Sequence, residues 1–415
     1  MTVKIELGFT ADGAGAPFLT LDDPTLGRLD TAGIYLGGGE VFVDVSEYFQ
    51  AYDLSRGASR ELERYQAGQV SVQLDNNARV FDPTFTTSPY FGQIVPKRKV
   101  RVTQDEIVQF FGVVEDWNLS YSPSGNAVAV LQAFDSFSYL ANLFVTDVSF
   151  AEESVVNRIN ALLDVISWSE TARELSSCGA TLAAETIDEQ TGVLEYLTKV
   201  AQSDPGDLLI AKNGDIKYSG RNTPASSDGL VFSDSGVGVP YKTIAAVFGS
   251  ELLFNQAIVS NAVGAESATN ATSVQSYGKR ELQRPTFLSD TTQMQELADF
   301  FVNKYGEPEF RFEAITVDLS SVDSDTKAEL MVMELADVVK VEFTPSGISP
   351  AIERYGKVIG IKQNINPSSE EIEIRLETTV GALMVLDDSV FGTLDEGNYW
   401  DGRQWLIEIS QLGKS

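Results

Sequence analysis

The sequence predicts a β-rich α+β fold: two antiparallel β domains, related by internal duplication, with a mixed α/β module inserted between them. Three observations lead there. Val70, Val72 and Leu74 alternate with Gln69, Ser71 and Gln73, the period of two that buries one face of a strand. Between Glu152 and Ser167, and again between Thr191 and Gln202, apolar residues return at helical spacing. A strand-turn-strand pattern also occurs twice, its two glycines, Gly112 and Gly356, standing 244 residues apart.

Residues 1–145 read as the first β domain. Val3 to Phe9, Gly33 to Leu36 and Glu40 to Val45 are short strands, separated by Gly-rich turns at Asp12 to Ala16 and Gly37 to Gly39. No Gly-Lys-Ser/Thr follows the triple glycine, so it reads as a hairpin turn and not a phosphate loop. An arm rich in Arg and Glu, Ser55 to Tyr65, then precedes the strand around Val72, which turns at Asp75-Asn76-Asn77. Phe81-Asp82-Pro83 closes the unit, because proline holds Asp82 in extended or turn backbone. Lys99 to Thr103, Val108 to Asn118 and Val128 to Phe134 add a longer antiparallel section with a polar turn at Ser122 to Asn126, as in a barrel or sandwich.

Residues 146–245 read as the inserted module. Val155, Ile159, Leu162, Leu163 and Ile166 share a helix face behind the acidic start Glu152-Glu153-Ser154, and Val193, Leu194, Leu197 and Val200 repeat the pattern. A hairpin, Asp207 to Ala211 and Asp215 to Tyr218, turns at Lys212-Asn213-Gly214. Residues 246–380 return to β character, after a helix from Asp290 to Tyr305 with Asp290 as N-cap and Gly306-Glu307-Pro308 as stop. Here the duplication is visible. Gly112 to Pro123 and Gly356 to Pro367 are both 11 residues, and each proline is followed 5 residues later by the first apolar residue of the return strand, Val128 or Ile372. The flanking strands correspond too, Val70–Leu74 with Ile315–Leu319 and Lys99–Val102 with Val339–Phe343. Residues 381–415 keep Trp400, Trp405, Leu406 and Ile407 close together among acids, a segment expected to dock on the chain's own body or on a neighbour.

Composition narrows the function. Hydrophobic residues at 43% over 415 residues support a sizeable core. With 60 acidic against 30 basic residues the net charge is -30, which repels nucleic acid and anionic membranes and argues against broad phosphate binding. There is no histidine and one cysteine, Cys178, so no Ser-His-Asp triad, Cys-His pair, His-bearing zinc site or intrachain disulfide can form. The start of the chain has strand-like alternation and not a signal-peptide pattern, and the most apolar stretch, Thr243 to Phe254, is too short to span a bilayer.

The run Ser55–Pro83, SRGASRELERYQAGQVSVQLDNNARVFDP, continues into Thr87-Ser88-Pro89-Tyr90-Phe91-Gly92 and the basic strand Pro96–Val102. In this order of arm, strand and Phe-Asp-Pro the chain resembles the minor tail proteins of long-tailed bacteriophages of the actinobacteriophage type, and among them the tail hub or baseplate hub family. The step Tyr277-Gly278-Lys279-Arg280 before the helix at Asp290 also recurs in that group. The resemblance implies two tail-tube-like antiparallel β-barrel domains per chain, so that three copies present six similar barrels. It implies a structural role without enzymatic activity or cofactor, in a virion tail tip assembled in the host cytoplasm. There the protein would adapt a six-fold tube to a three-fold tip, close the lumen and anchor tip or receptor-binding proteins. The implied partners are two further copies in a homotrimer, a distal tail or tail-tube ring, the tape-measure protein and tip or fibre proteins, with genome DNA passing through unbound and no membrane insertion by the chain itself.

On this reading Arg56, Arg60, Glu61 and Arg64 of the arm are candidate subunit-interface residues, since alternating charges can pair reciprocally across a ring, and Trp400 and Trp405 are candidates in the C-terminal segment. The other reading of the arm is a solvated surface helix. Two other functions stay open: a hexameric distal tail protein with one barrel per chain, and a carbohydrate-binding or hydrolytic tip protein using carboxylate pairs. Asp387-Asp388 and Asp395-Glu396-Gly397-Asn398 lack the spacing of an EF-hand and read as solvated loops.

Overall fold

The computed structural model of the chain describes residues 2–10, 40–176, 179–221 and 230–379. The expected strand Gly33 to Leu36, the turns at Asp12 to Ala16 and Gly37 to Gly39, Cys178, and the C-terminal segment with Trp400 and Trp405 lie outside the described residues.

The first half contributes β1 (Val3–Thr10), β2 (Glu40–Asp44), β3 (Phe49–Gly57), β4 (Gln66–Asp75), β5 (Lys99–Gln104), β6 (Ile107–Tyr121) and β7 (Ala127–Phe134). The alternation read from Val70 to Leu74 is observed: Val70, Val72 and Leu74 are buried and Gln69 is exposed. Next come α1 (Ser136–Leu140), α2 (Val155–Val165) and α3 (Val193–Ser203), then the hairpin β8 (Asp207–Ile210) and β9 (Ile216–Ser219). Gly214 takes φ +96° in the turn, as Asn-Gly turns require. The short strand β10 (Val231–Ser233) and β11 (Thr243–Phe248) lead to β12 (Gln256–Ser260), β13 (Ala265–Thr269), α4 (Ala271–Tyr277), β14 (Glu281–Pro285) and α5 (Thr291–Tyr305). Asp290 caps α5 by accepting from the Thr292 amide at 2.8 Å. The chain then forms β15 (Phe310–Asp318), α6 (Ser324–Val332), β16 (Val338–Phe343), β17 (Ile352–Asn366) and β18 (Ser369–Thr378).

The two expected β domains are not separate closed barrels among the described residues. They share one sheet of 13 strands, in the order β11-β15-β18-β17-β3-β4-β7-β6-β5-β1-β2, with β16 and β10 branching from β17. The joint is the antiparallel pairing of β17 with β3, from Gly360 opposite Gly57 to Ile365 opposite Tyr52. One continuous core of buried residues therefore runs through both halves, from Ile5 and Val72 to Ile315 and Ile374. Gly57, at φ +97°, sits so close to this seam that a Cβ there would lie 2.2 Å from the Ile359 carbonyl oxygen.

A second core packs α2 and α3 against residues 257–302, with Leu163, Val200, Val259, Met294 and Phe301 all buried. Helix α5, which lies in sequence within 246–380, thus shares its core with the inserted module. The second core is tied to the sheet at Asp135, which follows β7 and caps α1, whose Phe137 and Leu140 belong to that core: Oδ2 accepts from the Gly68 amide at 2.6 Å and Oδ1 from the Phe137 amide at 2.9 Å. A side chain at Gly68 would bring Cβ to 2.7 Å from Oδ2, so this approach requires glycine.

Burial lifts the Asp135 carboxyl to about 7, outweighing the two amides that favour its ionised form. A carboxyl raised in the folded state contributes stability that is full below its unfolded pKa of about 3.9 and is lost as pH rises through 7. Asp135→Asn cannot titrate and keeps only one acceptor. The expected result is lower stability at pH 4, together with loss of at least a tenfold, or about 1.4 kcal/mol, component of the decline between pH 4 and 8. Urea unfolding across that pH range measures it.

Candidate functional site

The structure divides the arm between inside and outside, correcting the expectation of one solvated helix or one outward-reaching arm. Ser55, Arg56 and Gly57 belong to β3, and residues 58–65 form a turn and loop. Arg56 is buried and donates to Glu334 at 2.7 Å and to the Ile210 carbonyl at 3.0 Å. Burial pushes the Glu334 carboxyl up, and the Arg56 guanidinium, with the Lys212 and Leu335 amides and the Lys212 charge, overcomes this to hold it below its ordinary value. Glu61 is buried as well; it accepts from the Tyr305 hydroxyl at 2.8 Å and lies 3.5 Å from the Lys304 ammonium. Burial raises its pKa, with Lys304 opposing. Both residues hold the turn to the body of their own chain. Arg60 and Arg64 are exposed, Arg60 pairing with Glu251 at 2.6 Å in the open and Arg64 making no ion pair among the described residues. The structure brings Arg60, Glu61 and Arg64 to the lining of one pocket, beside Lys304, Tyr305 and Lys357, and leaves Arg56 outside it.

A different feature gathers polar groups in quantity. On one face of the central strands apolar side chains are buried, and on the other a groove of about 480 Å³ opens across β15, β18, β17, β3, β4 and β7. Its walls combine Ser55, Gln69, Ser71, Gln132, Thr316, Asn364, Asp53, Glu371, Glu373 and Lys362 with Leu54, Val70, Ala133, Phe134 and Gln363. Asn364 donates to Asp53 across the β17–β3 seam, and Arg375 donates to Glu373 at 2.8 Å. Amides, hydroxyls and carboxylates give the wall groups that water wets, with Glu371 paired to Lys242 and Glu373 to Lys362 and Arg375. Sequence alternation marks these residues as the outward face of each strand. It does not show that strands from opposite ends of the chain share one groove.

The third feature is the sheet's ends. β11 is paired only with β15 among the described residues, and its residues are exposed except for half-buried Ile244. Phe248, at 69% exposure, and Val247 stand at its tip. This is the stretch that the sequence marks as most apolar. An open apolar edge strand is a pairing template that soluble proteins ordinarily cover. Among the described residues no group of three or more His, Cys, Asp or Glu is placed to hold a metal ion, and no helix is long and apolar enough to cross a membrane.

No protein-family model and no curated protein matches the sequence. Solved structures do match. The tail protein from Neisseria meningitidis MC58 aligns over 90% of this chain and 95% of its own, with TM-score 0.58 and 12% identity. This chain has a phage tail-protein fold. The 43 kDa tail protein of prophage MuSo2 from Shewanella oneidensis aligns over 81% of this chain and 94% of its own, with TM-score 0.56 and 11% identity. The prophage tail protein gp18 from Listeria monocytogenes EGD-e aligns over 81% and 91%, with TM-score 0.50 and 11% identity. At these identities the likeness is one of fold, and it agrees with the coarser part of the resemblance drawn from Ser55–Pro83, that to tail proteins.

Proposed function

We propose that this chain is a structural component of a phage tail, a hub at the distal end that forms a homotrimer. In that role it would adapt a six-fold tube to a three-fold tip, close the lumen and anchor tip or receptor-binding proteins, with no catalytic step of its own. The observation that carries the reading is the repeat within the sheet. In the first half, strands in spatial order β3-β4-β7-β6-β5 have counterparts β11-β15-β18-β17-β16 in the second, with the same chain order and every neighbour antiparallel. Irregularities repeat too: register shifts fall at Val114/Asp116 and at Val358/Gly360, each beginning two residues past the aligned glycine. The backbone amides of Lys97 and Ala336, at φ 68° and 72° just before β5 and β16, both donate to the second strand on, at the carbonyls of Val114 in β6 and Val358 in β17 respectively. This supports duplication of one β unit, and two such units per chain supply six from three copies.

The groove of amides, hydroxyls and acids would then belong to the lumen wall, past which DNA slides unbound. Arg60 and Arg64 remain the exposed arm residues available to a neighbouring ring. Trp400 and Trp405 are retained as interface candidates from the sequence.

The test is the mass of the purified protein and its symmetry by negative-stain imaging, alone and with the tail-tube protein. A three-fold ring with six similar lobes is the expected result. A six-fold ring would replace the hub by a hexameric distal tail protein, and a monomer binding host-wall glycan would replace both by a carbohydrate-acting tip protein.

A further inference from the structure

The seam between the two halves is a template for a seam between copies. We propose that residues 116–121 of β6 in one copy pair antiparallel with residues 242–247 at β11 of the next, in the register that joins β17 to β3 within the chain. The number of copies in the ring rests on the trimeric reading; the pairing rests on the repeat.

Residues 360–365 of β17 pair on one side with β18 and on the other with β3. Shifted by the 244 residues between Gly356 and Gly112, they become 116–121 of β6. That segment pairs with β7 on one side; β5 ends its pairing at Val113, and the other side is open among the described residues. Likewise β11 occupies beside β15 the place that β3 occupies beside β4. Leu54 lies opposite Val70 and Ile244 opposite Ile315, and both pairs of strands slip register next in the chain, at Ser55/Gly57 and at Ala245/Ala246. One free edge is thus the counterpart of β17 and the other the counterpart of β3.

Exposure shows what each edge lacks. Where β3 covers β17, Ile361, Gln363 and Ile365 are buried, whereas their counterparts Trp117 and Leu119 are half-buried and Tyr121 is 50% exposed. Where β17 covers β3, Tyr52, Leu54 and Arg56 are buried, whereas Ile244 is half-buried and Ala246 exposed. Transferring the register sets Leu119 opposite Ile244, as Gln363 opposes Leu54. It also sets Ser120 opposite Thr243, as Asn364 opposes Asp53, and Tyr121 opposite Lys242, as Ile365 opposes Tyr52. Leu119 with Ile244 joins apolar to apolar and Ser120 with Thr243 small polar to small polar, and no like charges face each other across the seam. The new pairs also continue the wetted face from Asn364 and Asp53 onto Ser120 and Thr243, keeping it on one side of the sheet.

The test uses the full chain with Cys178→Ser, carrying Ser120→Cys and Thr243→Cys together. Directly opposed residues in an antiparallel pair lie within disulfide reach, and residues two positions out of register do not. Mild oxidation is expected to yield a covalent multimer ladder, at least tenfold more than from a control carrying Ser120→Cys and Ala245→Cys. A trimer that forms but links equally well or better through the control overturns the register and leaves the trimeric reading standing. In-register linking in a six-fold ring upholds the seam and removes the trimer. A chain that stays monomeric overturns both.

Discussion

Replacing Arg158 with alanine is expected to destabilise the chain by about 3–5 kcal/mol, the cost of removing one partner from a buried ionic cluster. Arg158 lies on α2 with no solvent exposure, yet its neighbours on the helix face are Val155, Ile159 and Leu162. Its guanidinium satisfies five groups from three segments. It meets Glu153 at 2.7 Å, the Tyr196 hydroxyl at 3.0 Å, the carbonyls of Ala151 and Ala183 at 2.8 Å each, and Glu185 at 3.8 Å. Its plane also covers the Phe150 ring at 4.8 Å. Alanine would leave two carbonyls and a carboxylate facing a cavity. Methionine would fill the volume without the hydrogen bonds, and lysine would keep the charge but lose the planar fork. The expected order of stability is wild type, then lysine, methionine and alanine, read as the midpoint of urea unfolding. A change under about 1 kcal/mol for alanine would show that water enters and replaces the guanidinium.

Arg158 also marks the limit of what the sequence discloses. Helices were legible where the signal is local: Asp290 as a cap, apolar residues at helical spacing in α2 and α3, Asn213-Gly214 at a hairpin. Strands were legible from alternation, and the equal spacing of Gly112 to Pro123 and Gly356 to Pro367 is the sequence sign on which the proposed duplication rests. Edge partners were not. Nothing in β3 or β17 alone states that Leu54 opposes Gln363, more than three hundred residues away, because pairing is set by which hydrophobic faces coalesce once both units exist. The two β units were accordingly expected as separate barrels, while the structure joins them in one sheet. The arm misled for a related reason. An alternation of Arg and Glu looks solvated in sequence, and Arg56 and Glu61 are buried because Glu334 and Tyr305 are brought to them from the far half of the chain.

Lys357→Ala is the second large effect expected, at about 2–4 kcal/mol, below the full value for a wholly buried pair because about a fifth of the side chain is exposed. Lys357 on β17 reaches Asp207 of β8 at 3.0 and 3.1 Å and Glu377 of β18 at 3.2 Å. Tyr65 donates to the same Asp207 at 3.0 Å, and Lys304 of α5 pairs with Glu377 at 2.5 Å. One ammonium thus ties the module's hairpin to the sheet. Burial pushes the Glu377 carboxyl up, but Lys304 and Lys357 outweigh it and bring it to about 2. A carboxyl lowered in the folded state contributes stability that is present above its unfolded pKa, near 4.3, and lost as pH falls toward 2. Without Lys357 that contribution shrinks, and at neutral pH Asp207 loses its cation while Glu377 keeps only Lys304. Protonation relieves the uncompensated charge in the variant, so the gap between wild type and Lys357→Ala is expected to be widest near pH 7 and to narrow below pH 4. Adding Glu377→Gln to Lys357→Ala removes one of the stranded charges and should recover part of the loss, a coupling that a double-mutant cycle reads directly. A gap that stays constant from pH 7 to pH 3 would instead assign the loss to the packing of the lysine's methylenes and not to its charge.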